Sequence, residues 1–136
     1  MSDIKQQIDT FLKSSSFAVV GASQNRAKYG NKVLRVYMQN NLKVYPINPK
    51  EDSIEGLTCL KEISELPADT QSISVITPPA VTEKVVEAAH KKGIKNIWMQ
   101  PGAESTRAIN LCKEFNINCI ADGSCALVVL RYKESK

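Results

Sequence analysis

The residues best suited to chemistry lie in a small-residue turn that follows a short apolar run, Phe17–Val20. Gly21 permits a tight turn, and the small Ala22-Ser23 pair lets backbone N–H groups approach a phosphate closely. The Ser23 hydroxyl adds one donor, and Arg26 or Lys28 can reach the same phosphate with a charged group. A helical pattern follows within a few residues. Strand, tight turn and helix in this order predict a phosphate bound at the helix N-terminus.

The end of the second apolar run, Leu42–Ile47, discriminates between nucleotides. A full dinucleotide fingerprint has the glycines of GxGxxG and, about 20 residues further on, an acid that binds a ribose hydroxyl. Only Gly21 of that fingerprint is present, and the second run ends in Asn48-Pro49-Lys50 without an acid. Lys50 in that place disfavours NAD and favours a nucleotide whose ribose carries a phosphate. NADP and coenzyme A both remain open.

The rest of the chain continues the alternation of apolar runs and helical periodicity. In a single domain of 136 residues, this predicts an α/β, Rossmann-like fold: one open parallel sheet of five or six strands with helices on both faces. The run at 126–130 is compatible with a short helix or a strand. The predicted strands are 17–20, 42–47, 72–77, 94–99 and 118–121, with a short edge strand at 57–60. The predicted helices are 3–13 (capped by Ser2), 29–40, one from Pro78-Pro79 to a stop at Gly93, and one capped by Ser105 or Thr106.

Ligands of open parallel sheets lie beyond the carboxyl ends of the strands, near the point where the strand order reverses. Four of the predicted strand ends carry small, polar or proline-containing turns, and we expect these turns to converge. They are Gly21-Ala22-Ser23, Asn48-Pro49-Lys50, Thr77-Pro78-Pro79 and Gln100-Pro101-Gly102.

Composition disfavours several other classes of protein. The formal charge is only +4, and one Trp and three Phe form no stacking platform for nucleic acid. No apolar run approaches the roughly 20 residues that span a membrane. The four cysteines form no CxxC pair, which favours reduced, mostly buried thiols in the cytoplasm over a disulfide framework. The single histidine, His90, late on a predicted helix, is interpreted as a surface residue, and a zinc site has little support.

Four motifs carry a resemblance to a known family: VVGAS (19–23), VYPINPK (44–50), ITPPAV (76–81) and WMQPGAES (98–105). Over about residues 5–130 the chain resembles the small stand-alone CoA-binding domain proteins. These are similar to the N-terminal CoA-binding domain of the succinyl-CoA synthetase α subunit. The resemblance implies that Gly21, Ala22 and Ser23 hold the coenzyme's phosphates and that Lys50 contacts its 3′-phosphate. It further implies that the turns Thr77-Pro78-Pro79 and Trp98-Met99-Gln100 line the path of the pantetheine arm.

The closing loop departs from that family, because Asp122-Gly123-Ser124-Cys125 stands where an Asp-Arg-Cys turn is usual. Cys125 could exchange with a CoA thiol, although a structural cysteine is the preferred interpretation. The ligase reaction of the synthetase uses a phosphorylated histidine on a second domain, and this chain has no equivalent residue at a strand end. No nucleophile–base pair is evident either.

We therefore predict a cytoplasmic protein that binds coenzyme A or an acyl-CoA and has no catalytic activity of its own. The alternatives are an NADP-linked reductase, an accessory subunit of an acyl-CoA ligase, or a module that has lost its ligand and acts through protein contacts. The reductase is disfavoured because the chain leaves no room for a substrate domain, unless a dimer supplies one. Exposed helix faces permit a homodimer, but no residue pattern specifies it.

Overall fold

A computed structural model describes residues 3–134 as a parallel sheet between two layers of helices. The strands are Ser16–Val20 (β1), Val44–Ile47 (β2), Ser53–Ile54 (β3), Leu57–Thr58 (β4), Thr70–Val75 (β5), Asn96–Met99 (β6) and Asn118–Ile120 (β7). The helices are Ile4–Leu12 (α1), Tyr29–Gln39 (α2), Pro79–Lys92 (α3), Thr106–Glu114 (α4) and Ala126–Val129 (α5), with one 3-10 turn at Ile63–Glu65. None of the helices in this part of the chain is long and apolar enough to cross a bilayer.

The main sheet has five parallel strands in the order β2-β1-β5-β6-β7. The α/β, Rossmann-like prediction is confirmed, and five is the lower of the two predicted strand counts. From β1 the chain first moves outward to β2 and then returns to β5 on the other side of β1. The strand order therefore reverses between β1 and β5, which is where such a sheet opens a crevice at its carboxyl edge.

Helices cover both faces of the sheet, and successive side chains of β1 point to opposite faces. Phe17 and Val19 point to one face with Trp98, where they pack against α1, α2 and α5. Ala18 and Val20 point to the other face, where they pack against α3 and α4. Side chains alternate with period two along a strand, so a strand covered on both faces reads as a continuous apolar run. All five residues of β1 are buried.

Residues 57–60 do not form the predicted edge strand of the main sheet. Leu57–Thr58 pairs antiparallel with Ser53–Ile54 in a separate hairpin, and only Leu60 reaches the main sheet, through a single bridge to Ile47. The cause is the intervening Glu55-Gly56 pair, whose φ angles of +52° and +80° make the left-handed turn that two-residue hairpins require. The other predicted helices and strands lie within two residues of their expected bounds.

The helix ends agree in part with the predicted caps. Asp3 caps α1, with its carboxylate accepting from the N–H groups of Lys5 and Gln6, whereas the predicted cap Ser2 lies outside the described residues. Ser105 caps α4, and Gly93 ends α3 in the left-handed conformation, as predicted. The run at 126–130, left open by the sequence, forms the short helix α5.

The contact between α2 and the sheet contains a buried hydroxyl pair that can be tested. Tyr37 and Ser74 are fully buried, and their hydroxyl oxygens lie 2.7 Å apart. We expect Tyr37→Phe to lower the free energy of unfolding by about 1–3 kcal/mol, because the Ser74 hydroxyl then stays buried without its partner. Tyr45→Phe is the matched control, since Tyr45 is half-buried beside Lys43 at the sheet edge. Urea denaturation measures both variants, and equal losses would contradict the prediction.

Candidate functional site

Backbone hydrogen bonds bring the predicted strand-end turns to one edge of the sheet. The Gly21 N–H donates to the Ile47 carbonyl at 3.1 Å, which joins the turns after β1 and β2. The Ile76 N–H donates to the Val20 carbonyl at 2.8 Å, and the Gln100 N–H donates to the Val75 carbonyl at 3.1 Å. The carboxyl ends of β2, β1, β5 and β6 are thereby side by side, in that order.

The turn after β1 is built around two glycines. Gly21 has a φ of +95°, and a Cβ on this residue would lie 2.2 Å from the Ile76 carbonyl oxygen. A Cβ on Gly30, at the start of α2, would lie 2.2 Å from the Gly21 carbonyl oxygen. The backbones of β1, β5 and α2 are thus in direct contact around this turn. Gly30 was missed from the sequence, although its role in close helix–strand packing is the one given to the third glycine of a dinucleotide fingerprint.

The segment between the turn and α2 is held by its own side chains. The Ser23 hydroxyl oxygen accepts from the Asn25 N–H at 3.1 Å, which leaves the O–H of Ser23 free to donate. The Arg26 guanidinium pairs with the Glu55 carboxylate at 2.8 Å. Lys28 is exposed at the N-cap of α2, where its carbonyl oxygen accepts from the Asn31 N–H at 3.1 Å but its side chain caps no N–H group of the first turn. Such groups and the helix dipole favour an anion.

Asn48 braces the turn after β2 against the turn after β1. Its Nδ2 donates to the Ala22 carbonyl at 2.8 Å, and its Oδ1 accepts from the Lys50 N–H at 2.8 Å. The amide of this predicted binding residue is therefore already engaged within the protein. Lys50 and Pro49 are exposed, so the Lys50 ammonium extends into solvent at the crevice edge.

A crevice of about 850 Å³ opens at this edge of the sheet, and Gly21, Asn48, Pro49 and Thr77 are the predicted residues that line it. Most of its wall comes from α3 and from the segment around the 3-10 turn. This wall was missed because Val81 and Val85 fit the apolar face of a helix packed on the sheet, and helix periodicity does not show that residues 61–64 lie opposite them. The additional lining residues are Val20, Ile47, Lys61, Glu62, Ile63, Ser64, Val81, Lys84, Val85, Ala88, Lys91 and Lys92.

The crevice combines an apolar floor with a basic rim. Of its four lysines, Lys61 donates to the Glu51 carbonyl and the Asp52 carboxylate, and Lys92 donates to the Ser64 carbonyl. Lys84 and Lys91 make no ion pair with any residue that the structure describes. Glu62 is the single acid of the lining. This arrangement suits a ligand with an apolar, flat part and several negative charges.

The turns after β5 and β6 contribute unequally to the crevice. Thr77 lines it, with its hydroxyl 2.7 Å from that of Thr82 in α3, and Pro78 and Pro79 are exposed where α3 begins. Gln100, predicted to line the path of the pantetheine arm, is fully buried and does not line the crevice. Its Oε1 accepts from the Tyr29 hydroxyl at 3.0 Å and from the Ala126 N–H at 2.8 Å. The Gln100 side chain thereby links the residue after the closing loop to the end of β6.

The only histidine of the chain lies away from these turns. His90 is exposed on the last turns of α3, where its ring stacks on Phe115 with 3.9 Å between the ring centroids. The prediction of a surface residue is confirmed. Within residues 3–134, no group of three His, Cys, Asp or Glu side chains could hold a metal ion.

A family model described as a CoA binding domain matches residues 15–131 of this chain. The chain belongs to the CoA-binding domain family. This membership confirms the resemblance inferred from the four motifs and names coenzyme A or an acyl-CoA as the ligand class of the domain. NAD, which the end of β2 already disfavoured, has no support from the family.

The curated relatives are much longer proteins. An ADP-forming acetate–CoA ligase of Methanocaldococcus jannaschii is 38% identical over 80 residues, which are 59% of this chain and 11% of the relative. The α subunit of the ADP-forming acetate–CoA ligase II of Pyrococcus furiosus is 26% identical over 91 residues, which are 66% of this chain and 20% of that subunit. The chain thus corresponds to a small part of each of these ligases.

Solved structures share the fold along most of the chain. A conserved hypothetical protein from Pyrococcus furiosus is 38% identical with a TM-score of 0.80, and the match covers 84% of this chain and 97% of that one. The acetyl-coenzyme A synthetase 1 of Candidatus Korarchaeum cryptofilum, in complex with phosphate and ADP, is 26% identical with a TM-score of 0.71. That match covers 80% of this chain and 26% of the synthetase.

Proposed function

We propose that this protein binds coenzyme A or an acyl-CoA in the crevice at the carboxyl edge of the sheet, and that it catalyses no reaction by itself. The observation that carries the proposal is the turn at Gly21. Three backbone segments meet there without room for a Cβ, beside a helix N-terminus that no side chain caps. This is a cradle for a phosphate group, and it lies where the strand order reverses.

Each part of the coenzyme has a chemically suitable position in this proposal. The pyrophosphate lies on the Gly21-Ala22-Ser23 turn, where the backbone N–H groups after Gly21 and the Ser23 hydroxyl donate to it, since the Gly21 N–H already donates to the Ile47 carbonyl. The adenine lies on the apolar floor of the crevice between Ile63 and Val85. The 3′-phosphate lies near the ammonium of Lys50, at the end of β2. The pantetheine arm then runs from β1 toward β5 and β6.

The lack of catalysis is proposed from the chemistry that the crevice offers. Its lining has no histidine and no cysteine, and Glu62 is its single carboxylate. A nucleophile and a base within hydrogen-bond reach of each other are the minimum for covalent catalysis of acyl or phosphoryl transfer. The lysines of the crevice bind anions well, and its one contact between a hydroxyl and a carboxylate, Ser64 Oγ to Glu62 Oε2 at 3.4 Å, is longer than the roughly 2.6–3.2 Å that such a pair needs.

Calorimetric titration with CoA, dephospho-CoA, NAD and NADP tests the proposed ligand. We expect CoA to bind, dephospho-CoA to bind about 10- to 100-fold more weakly, and NAD not to bind measurably. The loss reflects one charge-assisted contact to the 3′-phosphate. Binding of NADP without CoA would overturn the proposal in favour of the reductase, and binding of neither would favour a module that acts through protein contacts.

A second candidate function is an accessory part of an acyl-CoA ligase, favoured by the ligase relatives. Those proteins carry several times the length of this chain, so a partner would have to supply nucleotide binding and the reacting histidine. Mixing the protein with a carboxylic acid, ATP and CoA, with and without extract of the cells that make it, tests this role. Acyl-CoA formation that depends on both protein and extract supports it, and formation that is unchanged by the protein excludes it.

A further inference from the structure

Three polar side chains form a cluster at the same carboxyl edge of the sheet, beside the end of β6 and at the closing loop. Tyr29 begins α2, Gln100 follows β6, and Cys125 precedes α5; we refer to them as the closing-loop cluster. The Tyr29 hydroxyl lies 3.0 Å from Gln100 Oε1 and 2.6 Å from Cys125 Sγ. Cys125 and Tyr29 are half-buried, whereas Gln100 is fully buried.

The hydrogen bonds of this cluster have a defined direction. The Ala126 N–H donates to Gln100 at 2.8 Å, so the atom that faces it must be the amide oxygen, which only accepts. The Tyr29 O–H therefore donates to the same oxygen, and the Cys125 thiol donates to the Tyr29 oxygen. Burial and the hydrogen bond with Cys125 raise the pKa of Tyr29, which keeps this hydroxyl protonated at neutral pH.

The amide nitrogen of Gln100 is the unexplained member of the cluster. Its orientation is fixed by Ala126 N–H, and its two hydrogens find no acceptor anywhere in residues 3–134. A buried donor without a partner costs about 1–3 kcal/mol, so such groups usually signal a role. An amide carbonyl brought beside Cys125 by a ligand would supply the acceptor that the protein lacks.

We propose that the closing-loop cluster receives the thiol end of coenzyme A and that Cys125 exchanges with the disulfide form of the coenzyme. The Cys125 thiolate attacks one sulfur of CoA disulfide, the bond between the two CoA sulfurs breaks, and a Cys125–CoA disulfide forms. The second CoA leaves as a thiolate, which takes up the proton that Cys125 released. No further oxidant is required. This proposal rests on the proposed function, because the nucleotide must be held at the same carboxyl edge of the sheet, beside a crevice that Tyr29, Gln100 and Cys125 do not line.

The sheet order puts the cluster within reach of the pantetheine arm. From the pyrophosphate turn after β1, the edge runs past β5 to the end of β6, where Gln100 lies, two strand spacings or about 10 Å away. A pantetheine arm has the backbone length of about four extended residues, on the order of 15 Å. Two CH2 groups and one N–H separate the sulfur from the nearest amide carbonyl of the arm, so with the sulfur at Cys125 this carbonyl comes near the Gln100 amide nitrogen.

Intact-mass spectrometry of the reduced full chain after addition of CoA disulfide tests the exchange. We expect one CoA adduct per chain, located at Cys125 by peptide mapping, and formed at least tenfold faster than the adduct with cystamine, which lacks both nucleotide and amide. Cys125→Ser should form no adduct. Cys119→Ser, which changes the other half-buried thiol, should react like the original protein. An adduct at another cysteine, or equal rates with the two disulfides, overturns the proposal.

The failure of this proposal and that of the proposed function give different results. The original protein should bind reduced CoA reversibly in a calorimetric titration, because the pyrophosphate turn and the crevice act without disulfide exchange. Reversible CoA binding without an adduct at Cys125 overturns the exchange alone. Absence of CoA binding to the original protein, together with no rate advantage for CoA disulfide, overturns both.

The role of Gln100 has a separate readout. Gln100→Glu keeps an acceptor oxygen for Tyr29 and Ala126 but removes the N–H donor. Pantethine is a disulfide that carries the same amide, two carbons from each sulfur, but no nucleotide. The ratio of its rate of adduct formation to that of cystamine therefore reports on that donor. We expect the original protein to prefer pantethine at least fivefold and the variant, checked for folding by its thermal melt, to lose that preference. An unchanged preference overturns the contact, since a purely structural role changes both rates alike.

Discussion

Replacing Gly21 with alanine is expected to abolish CoA binding and to lower the free energy of unfolding by about 2–5 kcal/mol. Two costs add in this change. A non-glycine residue at a φ of +95° costs about 1–2 kcal/mol, and crowding a packed site costs about 1–3 kcal/mol more. The crowding is severe, because the new Cβ would lie 2.2 Å from the Ile76 carbonyl oxygen. The backbone must move, and with it the N–H groups proposed to hold the pyrophosphate.

Gly93→Ala is the matched control for this prediction. Gly93 also has a positive φ, of +88°, but a Cβ there would meet no atom within 4 Å. It ends α3 by accepting the left-handed conformation, so alanine should cost only about 1 kcal/mol and leave CoA binding unchanged. Thermal melts and titration calorimetry compare the two variants. Equal stability losses would show that the φ angle matters and that the close contact with β5 does not.

The sheet and its ligand edge could be predicted because local patterns determine them. The continuous apolar run of β1 requires cover on both faces, which is typical of a parallel sheet between two helix layers. In such a sheet all carboxyl ends share an edge, so the sequence predicts that the turns after Val20 and Ile47 meet. Gly21 was recognised for the same reason, since a tight turn after a strand calls for glycine.

The features that were missed depend on contacts between distant segments. Gly30 matters because the start of α2 rests on the Gly21 carbonyl, and nothing in the helix periodicity marks that position. Lys84 reads as an exposed helix residue and becomes part of a binding wall only when α3 faces residues 61–64. Gln100 follows a strand like the other site residues, yet its turn is covered by the closing loop. A sequence pattern gives the strand end but not which side chain at that end stays accessible.

Lys50→Ala is expected to weaken CoA binding about 10- to 100-fold and to leave dephospho-CoA binding unchanged, because its ammonium is assigned to the 3′-phosphate. A charge-assisted contact contributes on the order of 1.5–3 kcal/mol, which sets that range. Lys50 is exposed at the turn that Asn48 braces, and it forms none of the ion pairs seen in residues 3–134. Removing it should therefore leave the thermal melt nearly unchanged.

Lys84→Ala discriminates between two positions for the same phosphate, because Lys84 lines the crevice and also lacks an ion pair within the described chain. If the 3′-phosphate lies at the end of β2, this variant should weaken CoA and dephospho-CoA alike, by a few-fold. If instead Lys84→Ala removes the preference for CoA and Lys50→Ala does not, the phosphate lies inside the crevice and the assignment to Lys50 is wrong.

Lys95→Ala controls for net charge, since exposed Lys95 precedes β6 at the opposite, amino end of the sheet. A ratio of CoA to dephospho-CoA affinity that falls only in Lys50→Ala fixes the orientation of the nucleotide, and with it the direction in which the pantetheine arm must run.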